Sequence, residues 1–242
     1  MSEAIDPKWR LEPRATGARN GIAVIWDLAE FAKFFNQADI HRYVPQYINI
    51  VLDSVERCFF GGETYWVKDG GVIKPLDQLP VQRKFMGDGA LYIWHAGDEC
   101  GDFSSTFRVA LSNRLWNLKS FFSNVNKRAL SKLPVAALPA RIRFGVASGT
   151  IHELTVAGSQ EKEYIGVCIN LASRLQKYCP DLGFIASARL DIHNSVLKEN
   201  SYKRVIATAI RGFPNEIVIV DRDEYRELSQ SQKKRLFRAV RA

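Results

Sequence analysis

The chain has 242 residues, 46% of them hydrophobic and 25% charged, and its formal net charge is +8. This length suits one sizeable domain with a hydrophobic core. We divide it into a leader (1–20), one domain (21–221) and a basic C-terminal tail (222–242). No apolar run approaches the roughly 20 residues that a membrane helix needs, so we expect a cytoplasmic protein. The four cysteines lack zinc-site spacing, which excludes a small zinc module.

Much of the excess positive charge lies in the tail, where five basic residues occupy the last ten positions. A basic tail can contact nucleic acid or anionic lipid, but a solvated helix face is the simpler interpretation. We therefore expect no stable membrane or nucleic-acid binding.

The first half of the domain begins with a strand-like apolar run, GIAVIWD, which ends in Asp27. From Val44 to Phe59, apolar residues recur at three- and four-residue steps, which predicts a core helix that ends at Gly61-Gly62. An insert rich in Gly, Pro and Asp (61–80) follows. VQRKF and ALYIW then flank an Asp-Gly pair, which predicts a hairpin with a tight turn.

In the second half, apolar spacing predicts a long helix from Phe103 to Leu130, which must stop before Pro134. RIRFGVASGTIHELTVAG alternates as a second hairpin, and Gly166 to Tyr178 is again helical. GFIAS, YKRVIATAI and EIVIV are strand candidates, with a short helix in SARLDIHNSV. Interleaved elements with two hairpins indicate an α+β protein whose mixed or antiparallel sheet is covered by helices.

Two aspartates are candidates for chemistry. Asp27 ends an apolar strand, where a helix N-cap is the simpler interpretation. Asp88 lies in a Gly-Asp-Gly turn, a sequence that hairpins use for conformational reasons alone. As a pair, however, the two carboxylates match the oxygen ligands that Mg²⁺ or Mn²⁺ accepts while it keeps waters and phosphate oxygens.

A second pair lies in IGVCINLASRLQKY. Asn170 and Arg174 are four residues apart and so share one helix face, whereas Leu171, Leu175 and Tyr178 line another. An arginine fork that holds a phosphoryl oxygen, one turn from an amide that bonds a ribose oxygen, suits displacement at an α-phosphate. An exposed polar face without function fits the spacing equally well.

Four blocks together resemble the catalytic domain of class III adenylate and guanylate cyclases: IWDLAEF, KFMGDG, RFGVASG and GVCINLASRL, in that order within 21–220. The resemblance implies a ferredoxin-like core that forms a head-to-tail homodimer, with each active site completed by both subunits. It also implies two divalent ions and a nucleoside triphosphate as substrate. The residues that it assigns are Asp27, Asp88 and the Leu28 carbonyl for metal, Asn170 and Arg174 for catalysis, and Leu28, Phe31, Lys84, Glu163 and Arg211 for substrate.

The loop after Asp27 departs from the family. By resemblance its N–H groups should meet the phosphates at a helix start. Glu30 stands where glycine is usual, however, and Ala32 where threonine is usual. These departures weaken the expectation of phosphate binding by this loop.

The base-selecting positions by resemblance are Lys84, a residue that goes with adenine rather than guanine, and Glu163, where adenylate cyclases usually have Asp or Thr. A lysine donor beside a carboxylate serves adenine, uracil or cytosine, but the longer glutamate favours a pyrimidine. The compact domain, the modified loop and the insert resemble bacterial Pycsar cyclases, which make cyclic UMP or CMP in phage defence. We therefore favour UTP as the substrate, with a cyclic-nucleotide effector downstream.

Three alternatives stay open at this stage. A conventional adenylate cyclase is supported directly by Lys84. A catalytically inactive, nucleotide-binding cyclase-like module is opposed by the presence of both aspartates together with Asn170 and Arg174. A diguanylate cyclase would need a further acid in the MGDGA turn, which this chain lacks.

Overall fold

A computed structural model describes residues 11–13, 17–67, 70–97, 101–156, 162–192 and 201–240. Within them, the helices are α1 (Phe31–Phe35), α2 (Val44–Phe60), α3 (Ser105–Ser120), α4 (Phe122–Leu130), α5 (Val167–Tyr178), α6 (Arg222–Glu227) and α7 (Gln230–Leu236). The strands are β1 (Leu11–Pro13), β2 (Arg19–Leu28), β3 (Gly62–Glu63), β4 (Val72–Ile73), β5 (Gln82–Phe85), β6 (Gly89–His95), β7 (Ile142–Val156), β8 (Lys162–Gly166), β9 (Phe184–Ser187), β10 (Tyr202–Ala207), β11 (Glu216–Asp221) and β12 (Phe237–Ala239).

One large sheet organises the described residues. Its strand order is β12-β10-β11-β9-β7-β2-β6-β5, with β1 and β8 also paired to β7. The β7–β9 pair is parallel, and the neighbouring pairs β2–β7, β2–β6 and β5–β6 are antiparallel. The expected α+β class with a mixed sheet is confirmed.

Helices cover both faces of the sheet because β2 is apolar on both sides. Val24 and Trp26 belong to the core shared with α2, α3 and α4. Ala23 and Ile25, which alternate with them, belong to a second core shared with α5. By the same alternation, Asp27 lies on the α5 side of the sheet.

Glycines let α5 lie directly on the central strands. A Cβ on Gly145 would come within 2.2 Å of the Ala172 carbonyl oxygen, so β7 and the middle of α5 touch through backbone. Gly149 and Gly21 lie against Cys168, near the start of the same helix. The helix therefore begins over the Gly21 end of β2 and runs toward the Asp27 end.

Three sequence predictions need correction. The predicted helix from Phe103 to Leu130 is two helices, because Phe121, with φ −111°, interrupts it. The 142–156 segment is one long strand rather than a hairpin; its hairpin partner is β8, and the connection 157–161 lies outside the described residues. The short helix predicted after β9 is a 3₁₀ turn, Ala188–Leu190. Residues 193–200, which follow it, lie outside the described residues.

Parts of the expected leader, insert and tail belong to the fold. β1 pairs with β7, and β12 pairs with β10 at an edge of the sheet. In the insert, the buried Trp66 donates its indole N–H to Asn117 on α3, and Asn124 on α4 donates to the Trp66 carbonyl. None of the helices in the described part of the chain has the length and hydrophobicity to span a bilayer.

Candidate active site

The two aspartates lie at neighbouring strand ends. Asp27 is opposite Gly89 in the β2–β6 register, and the Leu28 N–H donates to the Asp88 carbonyl at 3.1 Å. The turn requires its glycines: Gly87 has φ +91°, and a Cβ on Gly89 would lie 1.9 Å from the Trp26 carbonyl oxygen. The Gly-Asp-Gly sequence thus brings the Asp88 backbone against the end of β2.

The donor set at this end of the sheet fits a divalent ion. Two carboxylates and the Leu28 carbonyl are hard oxygen ligands, which Mg²⁺ and Mn²⁺ prefer. In the part of the chain that the structure describes, no group of three or more His, Cys, Asp or Glu side chains forms a complete metal cage. The remaining ligands would then be water and substrate oxygens, which is how proteins usually hold Mg²⁺ with phosphates.

Arg143 makes a contact with Asp27 that the sequence reasoning missed. Its Nε and Nη2 donate to Asp27 Oδ1 and Oδ2, both at 2.8 Å, and the side chains are only 18% and 14% exposed. The two residues are direct partners in the β2–β7 register. The RFGVASG block contained Arg143, but only the register shows which residue it faces.

The loop after Asp27 retains a glycine-like shape without the glycine. Glu30 has φ 62° and ψ 25°, and its carboxylate pairs with Lys33 at 2.5 Å, a contact that lowers the Glu30 pKa. The N–H groups of Leu28 and Ala29 already donate to the carbonyls of Asp88 and Arg141. Those two N–H groups are therefore not available to phosphates.

An apolar cleft of about 570 Å³ lies beside Asp88. Phe31 and Phe35 line one side, Ile48 on α2 lines another, and Met86 in the β5–β6 turn completes it. A cleft of this size and composition suits a small organic ligand. Phe31, a predicted substrate contact, lies at the cleft that contains a predicted metal ligand.

The two predicted base-selecting residues are in contact. Lys84 Nζ donates to Glu163 Oε1 at 3.2 Å, although the residues are 79 positions apart. Gln82, on the same edge strand, donates its side-chain amide to the Lys162 carbonyl at 3.0 Å. Strand β8 is therefore attached to β5 at two consecutive positions, and both base-selecting side chains remain partly exposed, at 56% and 39%.

Of the other predicted residues, only Arg211 lies at the opposite end of the sheet from Asp27; Asn170 and Arg174 lie along α5 between the two ends, and Arg174 lies between the two residues that contact Gly145, Ala172 and Gln176. Asn170 and Arg174 are exposed on α5, which begins over Gly21, while Leu171 and Leu175 are buried as predicted. Arg211 is exposed in the β10–β11 turn, and successive registers through β11, β9 and β7 align that turn with the Gly21 end of β2. Along the sheet, Asp27 and Arg211 are therefore at opposite ends, and Asn170 and Arg174 lie between them.

No protein-family model and no curated protein matches the sequence. Solved structures do match. The adenylyl cyclase CyaB from P. aeruginosa aligns with a TM-score of 0.56 and 15% identity, covering 88% of this chain and 98% of that one. The guanylyl cyclase Cya2 gives 0.55 and 15%, covering 85% and 92%. A Trypanosoma brucei adenylate cyclase in its monomeric state gives 0.54 and 12%, covering 95% and 97%.

The fold is that of a class III nucleotide cyclase catalytic domain. The similarity extends over nearly the whole of the compared domains, and it includes both an adenylyl and a guanylyl cyclase. The class III cyclase fold is thus compatible with more than one base, and base choice has to be argued from this chain's own side chains.

Proposed function

We propose that this protein is a class III nucleotide cyclase, which converts a nucleoside triphosphate into its 3′,5′-cyclic monophosphate and pyrophosphate. The observation that carries the proposal is the placement of Asp27 and Asp88 at adjacent strand ends of a class III cyclase fold. The exposed Asn170 and Arg174, one helical turn apart, add the polar groups that cyclisation needs.

In this reaction the substrate's 3′-hydroxyl oxygen forms a bond to the α-phosphorus, the hydroxyl proton passes to water, and the bond from the α-phosphorus to the bridging oxygen breaks to release pyrophosphate. Divalent ions held by Asp27 and Asp88 would lower the pKa of that hydroxyl and neutralise the triphosphate. Asn170 orients the ribose, and Arg174 donates to the charge that develops at the α-phosphate. No covalent nucleophile from the protein is required.

We propose a head-to-tail homodimer, and the separation of Asp27 from Arg211 along the sheet supports it. Asp27 and Gly21 are six positions apart on β2, which at about 3.3 Å per residue is about 20 Å. Arg211 is level with the Gly21 end, and Asn170 lies on α5 between Cys168, which contacts Gly21, and Ala172, which contacts Gly145. A second chain that presents its Asn170 and Arg211 to the Asp27 end of the first would complete two equivalent sites.

The proposed nucleobase specificity rests on the Lys84–Glu163 pair. A lysine donor next to a carboxylate acceptor matches O4 and N3–H of uracil, and glutamate reaches one methylene further into the pocket than aspartate. We propose UTP as the substrate. ATP is the second candidate, because the same pair matches N1 and the 6-amino group of adenine and an adenylyl cyclase is among the structural relatives.

The test is to incubate purified protein and Mn²⁺ with each of the four nucleoside triphosphates and to identify cyclic products by mass spectrometry. We expect cyclic UMP, and we expect Asp88→Ala to remove it. Product from ATP alone would exclude the pyrimidine proposal while supporting a cyclase. Nucleotide binding without any product would favour the inactive module.

The resemblance to Pycsar cyclases extends the proposal to phage defence, with a cyclic-nucleotide effector as the downstream partner. Bacteria that express the protein together with its effector should then plate phage less efficiently than bacteria with the Asp88→Ala protein. Equal plating by the two strains would contradict a defence role and leave the enzymatic proposal intact.

A further inference from the structure

The Arg143 guanidinium binds the Asp27 carboxylate, which is the proposed ligand of the divalent ion. Each of its two donated hydrogen bonds engages a different carboxylate oxygen, both at 2.8 Å, so the pair is bidentate. Both side chains lie mostly out of solvent, at 14% exposure for Asp27 and 18% for Arg143. Solvent screens such a pair much less than it screens a surface pair.

The backbone holds this contact in place. Asp27 and Arg143 are opposite each other on the two central strands β2 and β7. On the next position of the same face, Gly145 lies directly under α5, so this part of β7 is fixed by close packing. The guanidinium is therefore positioned by the sheet rather than by a mobile loop.

We propose that Arg143 is a positioning residue that holds Asp27 in the metal-free protein and competes, as a cation, with the divalent ion for that carboxylate. The inference rests on the proposed role of Asp27 as a metal ligand. Its consequence is a threshold: the protein excludes ions that bind Asp27 weakly, and an ion that does bind has to share or replace the guanidinium. Removing the charge of Arg143 should therefore tighten metal binding.

The test is Mn²⁺ binding without nucleotide, measured by electron paramagnetic resonance of the free ion. Since a unit charge near a partly buried site changes affinity by an order of magnitude or more, Arg143→Gln should bind Mn²⁺ about tenfold more tightly than the wild type. The thermal midpoint of Arg143→Gln should be lower than that of the wild type without metal, and Mn²⁺ should raise it by more than it raises the wild-type midpoint. Unchanged or weaker Mn²⁺ binding by Arg143→Gln would overturn the proposal.

Two further variants serve as controls for the Mn²⁺ binding test. Arg141→Gln removes the same charge two positions away, from a side chain that reaches Asp181 at 3.8 Å, and it should change Mn²⁺ affinity by less than about twofold. Arg143→Lys keeps the charge without the fork, so it should bind Mn²⁺ within about threefold of the wild type even if Arg143→Gln fails to fold. Tenfold tighter binding by either variant would contradict the proposal.

Asp27→Asn separates this inference from the proposed function. If Asp27→Asn leaves Mn²⁺ binding unchanged, Asp27 is not a ligand, and the metal assignment of the proposed function fails together with the inference. If Asp27→Asn abolishes Mn²⁺ binding while Arg143→Gln does not tighten it, the metal assignment stands and only the role of Arg143 is wrong.

Discussion

Glu30 has a backbone conformation that glycine adopts more easily than any residue with a side chain. Its φ of 62° is left-handed, and the Lys33 ammonium both bonds its carboxylate and lowers its pKa. A non-glycine residue in this region costs roughly 1–2 kcal/mol. The loop therefore keeps the shape expected of the usual family glycine, and the added carboxylate is paired with Lys33.

Comparing Glu30→Gly with Glu30→Ala separates the backbone effect from the charge. Both remove the carboxylate, but only glycine relieves the left-handed strain, so Glu30→Gly should be more stable to urea than Glu30→Ala by about 1 kcal/mol. Equal stability of the two variants would show that the loop changes its conformation when Glu30 is replaced.

At the scale of elements, the β7–β8 arm determines where Glu163 lies. Lys84 and Gln82 on edge strand β5 contact consecutive residues of β8, through the Glu163 carboxylate and the Lys162 carbonyl. Lys162 also forms an ion pair at 3.4 Å with Glu153 on β7, and this pair links the two strands of the arm. The base-selecting pair thus depends on the contact between β5 and β8.

Gln82→Ala should loosen this arm without removing either base-selecting side chain. Loss of one hydrogen bond is worth about 0.5–1.5 kcal/mol, so we expect the KM for the preferred nucleotide to rise about three- to tenfold and discrimination between bases to fall, with kcat nearly unchanged. Arg83→Gln is the matched control, because Arg83 pairs with Glu56 on α2 instead. If kcat falls with KM unchanged, Gln82 does not act through base binding.

A buried ionic network joins α3 to the end of β11 and to α6. Lys119 lies 2.7 Å from Asp221 and 3.2 Å from Glu224, and the Lys119 and Asp221 side chains are 8% and 6% exposed. Burial opposes ionisation of Asp221, but the hydrogen bonds from Lys119, Trp116 and the Glu224 N–H, with the charge of Lys119, hold its pKa below its usual value. For Glu224, burial prevails and raises the pKa.

Lys119→Met should destabilise the fold by about 3–5 kcal/mol near pH 7, because it leaves buried carboxylates without a cation. Since the pKa of Asp221 is lowered in the folded state, its contribution is present above the unfolded pKa of about 3.9 and is lost as pH falls through the folded value. The stability gap between wild type and Lys119→Met, measured by urea denaturation from pH 7 to pH 3, should therefore narrow below about pH 4. Adding Asp221→Asn to Lys119→Met should recover part of the loss at pH 7; a purely additive second loss would mean that the two residues do not interact.

Local patterns predicted some elements and not others. Helix α2 and strand β2 were predicted because the apolar pattern of each is contained within its own short stretch of sequence. The full length of β7 was not predicted, because it depends on pairing first with β2 and then with β8. The break at Phe121 was not predicted either, because it lies inside a continuous apolar stripe. Lys84 and Glu163 were paired only through the family resemblance, and the Asp27–Arg143 contact joins residues 116 positions apart, which no local pattern reports.

At the scale of the whole molecule, the proposed site residues are spread along the length of one sheet. Asp27 and Asp88 lie at one end with Arg143, Arg211 is level with the other end, and Asn170 lies between them on α5. The resemblance to class III cyclases implied a head-to-tail dimer, and the distance along the sheet between Asp27 and Arg211 supports that proposal.

Mixing two inactive variants tests this arrangement directly. Asp27→Asn and Asn170→Ala should each abolish cyclic nucleotide formation, yet after subunit exchange an Asp27→Asn/Asn170→Ala heterodimer regains one site made of an intact Asp27 and an intact Asn170. With random exchange, half of the dimers are mixed and each has one working site, so activity should return to about a quarter of the wild-type value. Asp27→Asn mixed with Asp88→Asn is the control: both defects fall in the same half of the site, every dimer lacks a complete metal pair, and activity should stay absent. No recovery in the first mixture despite proven exchange would mean that each active site is built from a single chain. Recovery in the control would mean instead that Asp27 and Asp88 of one site come from different chains.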